Sequence, residues 1–257
     1  MNLDKKVKSA LFEFLLRMGD DRLILGHRLS EWCGHAPIIE EDIALGNIAL
    51  DLIGQASAFL SLAAEVDSKG KTDDDLAYFR DETQFKNLQL LEQPNVNFAG
   101  TIVRQYFFDV YANLILENLT NSSFKDLAGI AEKCLKENKY HIRHSKQWLL
   151  RLGDGTELSN EKSQNAVDKL WRFTNELFEK DDVDKILIEE KIIQETDLLK
   201  NLWDDRVLLT LGKAQLNKPI ETHDFSHGSR KGFHSEHLGH LLAEMQILAR
   251  SYPNAKW

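Results

Sequence analysis

Apolar residues recur at intervals of three and four along most of the chain, and the places where that rhythm stops divide it into helices. Val7, Leu11, Leu15 and Met18, followed by Leu25, Leu29 and Trp32, predict a first helix over about Asp4 to Trp32. "CGHAP" ends it, because Gly34 suits the left-handed residue after a helix terminus and Pro37 cannot continue the helix. A second helix starts at the acidic cluster Glu40, Glu41 and Asp42, favourable beside a helix N-terminus, and runs to about Val66. Its apolar residues (Ile43, Leu45, Ile48, Leu50, Leu52, Ile53, Phe59, Leu60, Leu62) go nearly all the way round, which predicts burial on most sides.

The polar stretch "DSKGKTDDD" leads into shorter helical pieces over about 75 to 91, and "QPNVN" interrupts them. Asn97 is placed to cap a third long helix that runs to about Leu119 through Ile102, Tyr106, Val110 and Leu114. A fourth begins near Ser123, passes through Leu127, Ile130, Cys134, His141 and Trp148, and ends at "GDG" near Gly153. Helices are also predicted near Glu161 to Phe178, Glu195 to Leu216 and Ser235 to Ser251, with the charge run 179 to 185 ("EKDDVDK") as a solvated loop. The first four long helices, each ~20 to 30 residues and so ~30 to 45 Å, are expected to form a four-helix bundle core over about 4 to 153. Accessory helices follow over about 158 to 257, within one all-α domain spanning 1 to 257.

Composition supports that class, since four prolines and 14 glycines in 257 residues leave few turn clusters for an all-β fold. A formal charge of −9 with no long Lys/Arg run removes the electrostatic basis for binding nucleic acid. Cys33 and Cys134 lie far apart without a CxxC pairing, as suits a reducing cytoplasm. No stretch approaches about 18 uninterrupted apolar residues, the length of a membrane span. Glu13 interrupts the apolar segment that follows the N-terminal basic residues, so that segment does not read as a signal peptide.

"ENKYHIRH", residues 137 to 144, raises the chemical question, because it places acid and imidazole groups one turn apart on a long helix. Carboxylate-bridged di-metal bundles take one Glu from each of two helices and Glu-x-x-His from each of the other two. Laid over this chain, that template falls on Glu31, Asp51 with Gly54, Asp109, and Asn138 with His141. Position 54 lacks its histidine, position 138 lacks its carboxylate, and two further carboxylates are shortened to Asp. Two iron cations need those anions and imidazoles, so no metal ligand is expected from this set. The remaining polar groups should form a buried cluster that needs donor or cationic partners, with Arg28, Arg104 and Lys139 near in sequence.

His223, His227, His234, His237 and His240 place five of the nine histidines within 18 residues. His237 and His240 would share a helix face with Glu244 one turn on, a conceivable zinc arrangement that matches no strong signature such as HExxH. "HGSRKG" reads as a basic turn, solvated or in contact with a phosphate or an acidic partner. GxSxG, GxGxxG and GxxxxGK[ST] do not occur, and Trp148, Trp171 and Trp203 occupy apolar helix positions where packing is the default.

Longer strings carry a resemblance: "GDDRLILGHRLSEWCGHAP", "DIALGNIALDLIGQA", "FRDETQFKNLQLLEQPNVNFAGTIVRQYF", "KLWRFTNELF" and "GFHSEHLGHLLAEMQ". From about residue 15 to Trp257 the chain resembles the C-subunit family of the bacterial 1,2-phenylacetyl-CoA epoxidases, the ring 1,2-phenylacetyl-CoA monooxygenases. The resemblance implies a ferritin-like subunit of a cytoplasmic monooxygenase in phenylacetate catabolism. In such systems a catalytic A-subunit holds the di-iron centre and binds phenylacetyl-CoA, O2 supplies the epoxide oxygen, and a reductase with flavin and iron-sulfur groups delivers electrons from NADPH. The C-subunit is the paralogue without the metal site that supports its catalytic partner, which implies a complex component with no active site of its own. Self-association is compatible with this when the partner is absent. Competing expectations are an independent carboxylate-bridged di-metal oxidase using another ligand register, and a general helical scaffold.

Overall fold

The structure, a computed structural model, describes residues 4–220, 224–253 and 255. These residues form ten α-helices with short 3-10 turns and no strand, so the protein is all-α over them. The helices are α1 (Lys5–Ser30), α2 (Ile39–Asp67), α3 (Asp73–Tyr78), α4 (Gln89–Glu92), α5 (Phe98–Leu119), α6 (Lys125–Gly153), α7 (Glu157–Leu170), α8 (Asp182–Glu189), α9 (Leu199–Lys213) and α10 (Glu236–Ser251). The chain divides into two compact units. One comprises Met1–Pro94, Asp181–Leu187 and Gly228–Trp257; the other comprises Asn95–Lys180 and Ile188–His227.

In the first unit α1 and α2 run antiparallel. Lys8 reaches Ser68 (3.1 Å), Arg22 reaches Gln55 (2.9 Å), and Gly26 lies against the Ala49 and Ile53 backbone. A Cβ at Gly26 would sit 2.9 Å from Ile53 Cγ1, so glycine sets how closely the helices approach. α2 is long and apolar enough to cross a membrane by length and composition; one face packs on α1, where Gln55 accepts from Arg22. α10 joins this unit through Gln246, whose amide donates to the Ala77 and Arg80 carbonyls at 3.1 Å each.

Two expectations are corrected in this unit. α2 is not buried on most sides: Ile39, Ile43 and Leu50 are 72%, 60% and 68% exposed and share one face with exposed Gly54 and Ser57. The charge run is not wholly a loop either, because α8 starts at Asp182. Asp181 accepts from the Val183 N–H (2.9 Å), Asp184 accepts from the Asp181 N–H (3.0 Å), and buried Arg17 holds both carboxylates. Those reciprocal bonds satisfy the helix's first donors, much as a capping box does.

In the second unit α5 is the helix buried nearly all round, with Ile102, Phe107, Val110 and Leu114 among its buried residues. Asn97 caps it as expected, accepting from the Gly100 N–H at 2.8 Å. α6 packs against α5 with Trp148 edge-on to Phe98 (5.1 Å between ring centroids). α9 adds Trp203, whose indole N–H donates to the Phe107 carbonyl (2.9 Å) inside a cluster with Phe107, Trp171 and Phe178. Gly153 closes α6 where a Cβ would fall 2.1 Å from the Ala214 carbonyl oxygen.

Candidate functional site

Asp109 on α5 and His141 on α6 come together in the second unit, both fully buried. Ser145, one turn beyond His141, donates its hydroxyl to Asp109 Oδ2 (2.7 Å), and Gln105, one turn before Asp109, donates its amide to Oδ1 (2.7 Å). Each carboxylate oxygen therefore already has a protein donor. Burial pushes the Asp109 carboxyl up to about 6, with the charge of His141 and the bonds from Ser145 and Gln105 pulling the other way. Desolvation wins here because two neutral hydrogen bonds and one imidazole do not replace a full hydration shell. Asn138 is buried on the same helix as His141 and its Oδ1 has no hydrogen-bond partner.

The other template positions lie in the first unit. Glu31 sits just past the end of α1, over a third exposed, and is held by Arg28 at 2.6 Å. Asp51 is half-buried on α2, and Gly54 lies on the exposed face of that helix. A Cβ at Gly54 would meet nothing within 4 Å, so crowding does not forbid a ligand there; the sequence simply supplies none. Of the three cations near in sequence, Arg28 pairs with Glu31, Arg104 is buried and donates to Asn95 Oδ1 (2.7 Å), and Lys139 is exposed. Asp109 is thus compensated by neutral donors and His141 rather than by Arg or Lys.

This donor set does not fit a di-iron centre. Position 54 has no donor atom, position 138 offers a neutral amide, and both Asp109 oxygens are engaged by protein donors. Within neither unit do three His, Cys, Asp or Glu side chains gather as they would around a metal ion, among the described residues.

The histidine segment disperses. His223 lies outside the described residues; His227 pairs with Glu179, His234 with Glu92, and the His237 carbonyl accepts from Arg28 (3.2 Å). His240 is exposed. The "HGSRKG" turn is not a free basic patch, because Arg230 forms a two-pronged bond to Asp21 (2.8 and 2.9 Å) and donates to the Lys86 carbonyl.

That pair belongs to a buried ionic layer on α1 that sequence reading did not find. Asp20 takes both terminal nitrogens of Arg80 and the Lys86 N–H (2.8 Å), while Asp21 takes Arg230 and the Leu88 N–H (2.9 Å). Burial pushes the Asp21 carboxyl up despite Arg230 beside it. Glu92 gathers Asn87, His234 and Ser235. Adjacent acids at 20 and 21, flanked by the apolar runs Phe14–Leu16 and Leu23–Leu25, were the available signal, since buried carboxylates demand partners.

The model of one family, described as phenylacetic acid catabolic protein, matches residues 2–257. The chain belongs to the phenylacetic acid catabolic protein family. Among its relatives is the C-subunit of the 1,2-phenylacetyl-CoA epoxidase of Escherichia coli (strain K12). The two are 50% identical over 247 residues, covering 96% of this chain and 99% of that one. The epoxidase name belongs to the relative.

Proposed function

We propose that this chain is a non-catalytic structural subunit of a multicomponent di-iron phenylacetyl-CoA epoxidase, supporting the catalytic A-subunit in phenylacetate catabolism. The observation that carries the proposal is the degenerate donor set: Gly54 and Asn138 at ligand positions, with both oxygens of Asp109 satisfied by Ser145 and Gln105. A family member with long helices in which two ligand positions are Gly54 and Asn138 and a third, Asp109, is tied up by protein donors suits a supporting paralogue better than an oxidase. On this reading the di-iron belongs to the catalytic partner, and NADPH, flavin and iron-sulfur groups act through the reductase, all in the cytoplasm.

Support has a physical form. A di-iron site must hold carboxylates within a fraction of an ångström while leaving room for O2, and a second ferritin-like bundle packed alongside restricts the helices that carry them. The exposed face of α2, with Ile39, Ile43 and Leu50, provides apolar surface whose burial would drive that packing.

Elemental analysis tests the proposal on this chain purified alone and again after co-expression with the catalytic partner. The expected result is no stoichiometric metal in the isolated chain and about two irons per catalytic subunit in a stable, active complex. Two irons per isolated chain would identify an independent carboxylate-bridged oxidase. A catalytic partner equally soluble, iron-loaded and active alone would remove the supporting role.

A further inference from the structure

Segment 228–235 leads into α10 along the first unit, where an unusual set of contacts fastens it. Gly228 and Gly232 have φ of +87° and +89°, and a Cβ at Gly232 would lie 2.3 Å from the Thr83 carbonyl oxygen. Glycine therefore lets the turn press against the backbone of 82–84. Arg230 then pairs with Asp21, and the Gln89 amide donates to the Phe233 carbonyl (3.0 Å).

The last fastening is His234, whose side chain is fully buried, as is that of Glu92. Its Nδ1 lies 2.6 Å from Glu92 Oε1 and its Nε2 lies 3.0 Å from the Phe85 carbonyl oxygen. A carbonyl oxygen only accepts. Glu92 is surrounded by donors: Asn87 Nδ2 (2.9 Å) shares Oε1, and the Ser235 N–H (2.8 Å) and hydroxyl (2.6 Å) reach Oε2. The two amide groups can only donate, one to each oxygen, so the site is built for the ionised carboxylate. With an acceptor at each ring nitrogen, His234 must donate from both, and only the imidazolium does so.

We infer that His234 is a buried imidazolium and serves as a proton-sensitive clasp, its deprotonation releasing segment 228–235 from the 82–92 stretch. When one ring proton leaves to solvent, a nitrogen lone pair is left facing either the Glu92 carboxylate or the Phe85 carbonyl, and one of the two bonds becomes repulsive. The charged groups around the ring are Glu92 of α4, Glu82 of the adjacent 3-10 turn and, through the Glu92 carbonyl, Arg28 of α1. Burial alone would lower the His234 pKa, but the hydrogen bond and charge of Glu92, helped by Phe85 and Glu82, leave it above the ordinary imidazole value. A raised folded pKa places the clasp's stabilisation fully below the ordinary value of about 6.5 and removes it as pH rises through the folded one.

The test is side-chain nitrogen NMR of the histidine-labelled full chain from pH 6 to 9, with amide hydrogen exchange over the same range. At pH 7 both His234 nitrogens are expected to carry protons. Above the folded pKa, protection of residues 229–236, corrected for intrinsic exchange, should fall by about tenfold per pH unit while α5 stays protected. His234→Gln, whose donors sit on a single nitrogen and so cannot serve both acceptors across the ring, should leave the segment open and its protection independent of pH in that range. A neutral His234 at pH 7, or protection of 229–236 that ignores the ring's titration, overturns the inference. The measurements on the unaltered protein decide it even if the variant does not fold.

Discussion

Asp109→Asn separates a carboxylate kept for its charge from one merely tolerated in the second unit. Asp109 is fully buried and ionises only at about 6, against 3.8 for the unperturbed group. The gap of about two pKa steps corresponds to ~3 kcal/mol, at 1.36 kcal/mol per step. Between those values the folded state holds a proton that the unfolded state has released, so stability falls as pH rises through that window and levels off above it. His141 and Tyr106 are the titratable neighbours that feel the Asp109 charge. Asparagine keeps the shape and cannot ionise. Its Oδ1 can accept from Ser145, and its Nδ2 can donate to Gln105 Oε1, which has no partner in the native arrangement. The variant's advantage over the native chain is therefore expected to grow by up to ~3 kcal/mol between pH 4 and pH 6.5 and then stay flat. Urea unfolding followed by tryptophan fluorescence suits the measurement, because Trp148, Trp171 and Trp203 all lie in the second unit. Coincident circular-dichroism transitions would justify a two-state treatment. An advantage that is constant or shrinks with pH would refute the desolvation argument. A loss of ~3 to 5 kcal/mol at every pH would show instead that the carboxylate is one partner of a needed buried ion pair.

Three further outcomes are expected. Arg80→Ala strips Asp20 of its buried counter-charge and should cost ~3 to 5 kcal/mol, with Asp20→Asn in the same chain restoring a measurable part in a double-mutant cycle; additivity would mean the pair is not coupled. Trp203→Ala removes a side chain 1% exposed, its bond to Phe107 and three aromatic contacts, for a loss of ~3 to 5 kcal/mol in denaturant titration. Leu50→Asp on the exposed face of α2 should change the isolated chain's stability by no more than about 0.5 kcal/mol while weakening its co-purification with the catalytic partner; an unchanged complex would place the contact elsewhere.

Much of this protein follows from local chemistry. The spacing of Val7, Leu11 and Leu15, the Asn97 cap and the glycine at 153 fix helices and their ends, because helix formation depends on neighbours three and four residues away. The vacancies at Gly54 and Asn138 are also properties of the sequence, since no packing can make an imidazole from glycine or a carboxylate from asparagine. Other features were decided only by the path of the chain. α2 and α5 are similarly apolar, yet α5 is enclosed and α2 presents Ile39, Ile43 and Leu50, because the surface around a helix is set by which elements return to cover it. Arg230 finds Asp21 across 209 residues and His234 finds Glu92 across 142. Within the charge run at 179–185 a helix likewise starts at Asp182, where Arg17 holds Asp181 and Asp184. A charged residue reads as surface from its own neighbours, and only a partner brought from far along the chain makes its burial tolerable.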